Sequence, residues 1–130
     1  MEAYQEDLAY IHDVGFGWFA EGAAPGVLEI LRRGGIDRGL VVDLGCGSGI
    51  WARHLVDAGF DVLGIDISPA MIEIARRRVP EGEFQTVSLF KASLPPCVAI
   101  TALGECCNYR FDKSNSPRAL GRLFRRAHRV

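Results

Sequence analysis

With 130 residues, 48% of them hydrophobic and 24% charged, the chain has room for one small domain with a real core, and its composition excludes a disordered or collagen-like segment. Lys and Arg number 15 against 16 Asp and Glu, a net charge of −1, so no global field draws it to nucleic acid or to an anionic membrane. Glu2, Glu6 and Asp7 stand where a signal peptide would turn apolar, and no apolar run approaches the ~20 residues of a membrane span, so the chain reads as cytoplasmic with no membrane partner.

Residues 1–35 predict an N-terminal helical cap with a break. Tyr4, Leu8 and Ile11 recur at helical spacing, Gly15 and Gly17 interrupt the pattern, Pro25 opens a second helix through Leu28 and Leu31, and Gly34-Gly35 stops it. Residues 36–130 then form an α/β unit. Leu40 to Leu44 reads as a buried strand, and Ile50 to Ala58 as a helix with Ala52, Leu55 and Val56 inward and Gly59 as its stop. Asp61 to Ile65 is a second strand. Ser68-Pro69 is a helix start of the N-cap-then-proline type, with Met71, Ile72, Ala75 and Val79 on the inner face.

Phe84 to Val87 and the apolar Val98 to Leu103 are the third and fourth strands. Pro117 opens a last helix whose stripe Leu120, Leu123, Phe124 and Ala127 faces away from Arg118, Arg122, Arg125, Arg126 and Arg129. Arg76-Arg77-Arg78, at a helix C-terminus, reads as a solvated face that offsets the helix dipole. Strands alternating with helices predict a parallel sheet covered on both faces, and right-handed crossovers make it an α/β, doubly wound, Rossmann-like domain.

Cys46, Cys97, Cys106 and Cys107 form no C-x-x-C pair and have no histidine at zinc-ligand spacing. They read as reduced thiols, with no metal site. His12 on the first helix, and Tyr109 and Cys106 after the fourth strand, receive no assigned role. No histidine accompanies Cys106 in sequence to make it a nucleophile.

The segment that carries chemistry is Asp43-Leu44-Gly45-Cys46-Gly47-Ser48-Gly49, a strand end, a glycine-rich turn and a helix start. A dinucleotide fingerprint G-x-G-x-x-G would need glycine at Ile50, and a P-loop would need Lys-Ser/Thr after its last glycine. Asp43 beside the turn would repel a pyrophosphate but suits a cation. Asp66 ends the second strand about 20 positions beyond Gly45, where a carboxylate accepts hydrogen bonds from ribose hydroxyls. A ligand with a ribose, a positive amino-acid-like tail and no phosphate fits both.

Asp43-x-Gly45-x-Gly47-x-Gly49 followed by Gly64-Ile65-Asp66-Ile67-Ser68-Pro69-x-Met71 resembles the class I S-adenosylmethionine-dependent methyltransferases, densely over 39–79 and more loosely to about 112. The resemblance implies S-adenosylmethionine as cofactor and methyl transfer as activity. It implies Asp43 near the methionine end, Gly45, Cys46 and Gly47 lining that side, Gly49 also among the cofactor-binding residues, Asp66 on the ribose, and Ile67 and Met71 flanking the adenine. Gly104 and Glu105, after the fourth strand, fall where sulfonium and acceptor meet. The loop Ser88 to Lys91 lacks the acidic residue that the family often brings to the adenine edge.

The same resemblance implies strand order 3-2-1-4 and a seven-stranded sheet, of which four strands are accounted for here. The chain is therefore expected to be the N-terminal portion of the fold, incomplete at its C-terminus, with an open edge on the fourth strand that invites self-association. No catalytic residue is named, because the sulfonium needs alignment more than a base. With no recognition domain attached, a small-molecule acceptor is expected and nucleic acid is disfavoured. The alternatives are a non-catalytic S-adenosylmethionine- or S-adenosylhomocysteine-binding module or inactive fragment, an NAD-type oxidoreductase, and an interaction domain pairing through its sheet edge.

Overall fold

Strand β1 (Gly39–Leu44) lies between β2 (Phe60–Asp66) and β4 (Ala99–Thr101), and β3 (Glu83–Thr86) lies outside β2. The computed structural model describes residues 6–88 and 90–103, the first 14 of these as backbone alone. Gly104, Glu105, Cys106, Cys107, Tyr109 and the helix expected from Pro117 lie outside the described residues, as does the side chain of His12. All pairings are parallel, in the order β3-β2-β1-β4 that was expected.

Three helices connect and flank the strands: α1 (Glu6–Arg33), α2 (Ile50–Asp57) and α3 (Pro69–Arg78). The expected break in the first of them is absent. α1 runs unbroken through Gly15, Gly17 and Pro25. Its buried positions Ala20, Ala24 and Leu31, with the half-buried Val27 and Leu28, form one helical stripe that straddles Pro25. Packing of that stripe outweighs the hydrogen bond that proline cannot donate. The expected stop is present: Ile36 N–H donates to the carbonyl of Leu31 and Gly35 N–H to that of Arg32, a Schellman ending with Gly35 at φ 77°.

α3 also begins as expected, with Ser68 Oγ accepting from Met71 N–H at 3.2 Å and Pro69 in the first turn. In α2 the buried side chains are Trp51, Ala52 and Leu55, while Val56 is half-buried.

Alternation along the strands divides the core in two. Val41, Phe60, Val62 and Phe84 face the helices, where they pack with Trp51, Leu55, Ile72 and Val79. Val42, Leu44, Leu63 and Ile65 face the other way, against Phe90 and Ala92. Both faces are covered, but the described helices all pack on one. The second face carries Val87, Phe90, Ala92, Leu94 and Cys97; Pro95-Pro96 fixes φ and removes N–H donors there, and the described residues between β3 and β4 form no helix. β4 is three residues long rather than the expected Val98 to Leu103, and Val98 is 43% exposed. No helix among the described residues is long and apolar enough to cross a membrane.

Candidate active site

Parallel pairing sets the C-terminal ends of β1 and β2 side by side, with Asp43 opposite Gly64 and Leu44 opposite Ile65. The chain leaving β1 then folds across the end of β2. Gly45 N–H and Cys46 N–H both donate to the carbonyl of Ile65, at 2.7 and 3.0 Å. Gly45, Gly47 and Gly49 adopt φ of 68°, 57° and 85°, a left-handed conformation at every second residue that side chains with a Cβ rarely accept. That is the physical content of the G-x-G-x-G spacing. A Cβ on Gly47 would meet nothing within 4 Å, so the loop is open on that side, whereas one on Gly49 would stand 3.1 Å from Ala75 and wedge α2 from α3.

Asp66 locks this turn to the next one. Its Oδ2 accepts from Gly47 N–H and its Oδ1 from Ser68 N–H, each at 2.9 Å. The carboxylate is 3% exposed. With Gly49 N–H bound to the carbonyl of Cys46, the amides of Gly45, Cys46, Gly47 and Gly49 all have protein acceptors. The loop therefore does not hold these amides out to a phosphate, as a dinucleotide or P-loop site would.

Asp43 has different company. It is 2% exposed, and Thr101, its register partner on β4, donates its hydroxyl to Asp43 Oδ1 at 2.9 Å. Thr101 Oγ1 in turn accepts from Trp51 Nε1 at 3.1 Å. Burial pushes the Asp43 carboxyl up to about 7, the Thr101 hydrogen bond opposes this, and the nearby Asp66 charge adds to it. Burial, then the charges of Asp43 and Asp66, also hold the Cys46 thiol well above its ordinary range.

Of the expected site residues, the structure brings Asp43, Gly45, Cys46, Gly47, Gly49 and Asp66 together. The Cys46 side chain, however, packs into the helix-side core, where a Cβ on Gly64 would come within 2.9 Å of its Sγ. The Cys46 main chain shapes the turn, and its thiol donates to the Gly47 carbonyl at 3.6 Å. Ile67 is half-buried, but Met71 is only 1% exposed and presents almost no surface to a ligand.

Three participants were missed. Thr101 carries the one hydroxyl in the run Val98-Ala99-Ile100-Thr101-Ala102-Leu103, a polar side chain in an apolar strand that could have been noticed. Trp51 left no signal beyond its place on α2. Arg78 also corrects the reading of the arginine run as solvated: its Nη1 donates to Ser48 O and Oγ, both at 2.9 Å, bracing the glycine loop. Arg76 similarly donates to the carbonyl of Phe84 at 2.9 Å.

Comparison with known proteins adds the following. A family model described as a methyltransferase domain matches residues 41–129. The chain is 36% identical over 83 residues to the 18S rRNA (guanine-N(7))-methyltransferase of Mus musculus, covering 59% of this chain and 29% of that protein. It is 32% identical over 90 residues to the malonyl-(acyl-carrier protein) O-methyltransferase of Pectobacterium atrosepticum, covering 65% of this chain and 33% of that one. Among solved structures it matches the DhpI–SAH complex with a TM-score of 0.67 and 27% identity, over 92% of this chain and 57% of that chain. The chain spans about a third of the length of these curated relatives.

Proposed function

The chain belongs to the class I S-adenosylmethionine-dependent methyltransferases, and on that premise we propose that the cleft over the ends of β1 and β2 binds S-adenosylmethionine and serves methyl transfer to a small-molecule acceptor. The observation that carries this reading is the pair of buried carboxylates, Asp43 and Asp66, on adjacent strand ends beside a loop whose Gly45, Cys46, Gly47 and Gly49 amides already have protein acceptors. Such a site suits a cation and hydroxyls, not a pyrophosphate. The complex of DhpI with SAH, S-adenosylhomocysteine, supports the same ligand class.

Asp66 would accept the ribose hydroxyls while it keeps the two turns in place. Asp43 would face the positive methionine end, directly or through water. The main chain of Gly45, Cys46 and Gly47 would line that end, Ile67 would flank the adenine over the buried Met71, and Gly104 and Glu105 would stand near the acceptor. When bound, the cofactor supplies an intrinsically reactive methyl group on a sulfonium. The task left to the protein is alignment of an incoming nucleophile and exclusion of water, which needs no named base. A small acceptor is favoured because the net charge of −1 offers no basic field for a nucleic acid.

Calorimetry with S-adenosylmethionine, S-adenosylhomocysteine and NAD tests the binding half. Affinity in the micromolar range is expected for the first two alone, and Asp66→Ala should weaken it at least tenfold, on the order of 1.4 kcal/mol. No heat with S-adenosylhomocysteine in a folded sample would overturn the cofactor assignment. Methyl transfer from radiolabelled cofactor to RNA, and not to small acceptors, would overturn the acceptor class.

A further inference from the structure

The hydrogen bonds that reach Asp43 have a direction. An indole N–H is a donor only, so Trp51 Nε1 must give its hydrogen to Thr101 Oγ1. The threonine hydroxyl, with one lone pair so engaged, points its own hydrogen at Asp43 Oδ1. A hydroxyl left to itself can turn round and accept from a protonated carboxyl; this one is biased to donate. Trp51 comes from α2, Thr101 from β4 and Asp43 from β1, and the register that sets Thr101 opposite Asp43 makes the chain possible. Trp51 is 3% exposed, so water has little access to replace it.

From this geometry, and resting on the cofactor site proposed above, we infer that Thr101 and Trp51 are positioning residues that hold Asp43 as an anionic acceptor for the cationic methionine end of the cofactor. Neither needs to touch the ligand. Their work is to oppose what surrounds Asp43. The charged or titratable groups facing it among the described residues are Asp66 from the end of β2 and the Cys46 thiol from the loop, and no cation accompanies them there. Burial and the Asp66 charge favour the neutral acid, and the Thr101 bond is the influence that favours the anion. Binding a cation then releases the Asp43 proton to solvent, to the extent that the site was protonated beforehand.

The test is S-adenosylhomocysteine affinity, by calorimetry from pH 5.5 to 9, for the full chain and its Thr101→Val, Thr101→Ser and Trp51→Phe variants. In the unaltered chain, affinity should rise with pH through about 7 and level off. Heats measured in buffers of different ionisation enthalpy should show net proton release near neutrality. Thr101→Val should move the midpoint up by about one pH unit and weaken binding at pH 7 by roughly fivefold, with most of the loss recovered at the alkaline end. Thr101→Ser should restore the original profile. Trp51→Phe, which keeps the hydroxyl and removes its donor, should give a smaller displacement in the same direction, and it carries the test if Thr101→Val does not fold. An equal loss at every pH, or an unmoved midpoint in both variants, would overturn the inference and leave the cofactor site standing. Absence of binding by the unaltered chain at every pH would overturn the cofactor site itself.

Discussion

Asp43 and Asp66 are the same residue at the ends of adjacent parallel strands, both nearly inaccessible, and the fold treats them in opposite ways. Asp66 receives a main-chain N–H on each oxygen, from two different turns, so its charge is met by fixed donors and holds the glycine loop against the start of α3. Asp43 receives a side-chain hydroxyl, and burial dominates its titration. One anion is part of what keeps the fold together. The other is disfavoured by its burial and is suited to a cationic ligand. Burial alone cannot tell these apart; the source and number of the donors can.

The largest effect that would sharpen this contrast is expected from Asp43→Asn. A carboxyl raised from 3.8 to about 7 is a group whose neutral form the fold prefers. Its ionisation therefore removes stability as pH rises from about 4, and the loss is complete above about 7, reaching at most about 4 kcal/mol. Asparagine keeps the shape and an oxygen for Thr101 without the charge. In urea unfolding of the ligand-free protein the variant should gain several kcal/mol over the parent at pH 8 and almost nothing at pH 4. It should also lose S-adenosylhomocysteine binding. Equal stabilities at pH 8 would break the comparison from this side.

Asp66→Ala should move stability the other way. Two charge-assisted hydrogen bonds from buried amides are lost, at about 1.5 kcal/mol or more each, leaving Gly47 and Ser68 N–H without that acceptor. Relief of the Asp66 charge on Asp43 returns part of this, so a net loss of about 2–3 kcal/mol at pH 7 is expected from the same unfolding curves. If both variants stabilise the protein, the two carboxylates do not differ in the way described.

Much of the frame was legible before any coordinates. The strands, the Ser68 cap and the roles of Gly45 and Gly47 follow from local rules: apolar runs, a capping hydroxyl, and glycine where φ is positive; the strand order came from the resemblance to the methyltransferases. What escaped depends on partners distant in sequence. Thr101 becomes part of the site because β4 pairs with β1 in one register, and Trp51 because α2 docks over that pair. The break expected in α1 failed for a similar reason. Local propensity argues for interruption at Gly15, Gly17 and Pro25, and the buried stripe on both sides of Pro25 overrides it.

Arg78 offers the smallest and last test. A run of three arginines at a helix end is ordinarily solvated, and nothing in the local pattern separates Arg78 from Arg77. The fold does: it aims the guanidinium of Arg78 at the carbonyl and hydroxyl of Ser48, next to the Gly47 amide that Asp66 holds. The glycine loop is thus held by a carboxylate that binds its amide and a guanidinium that binds its carbonyl. Arg78→Met preserves the apolar stem and removes the donors, so stability should fall by about 1 kcal/mol. Affinity for S-adenosylhomocysteine should fall by roughly threefold as the loop loses that brace, without any change in the pH profile, because Arg78 is not among the groups that set Asp43. A shift of that profile in Arg78→Met would show that the two clamps are not independent. The division between a carboxylate that builds the site and one that serves it would then have to be redrawn.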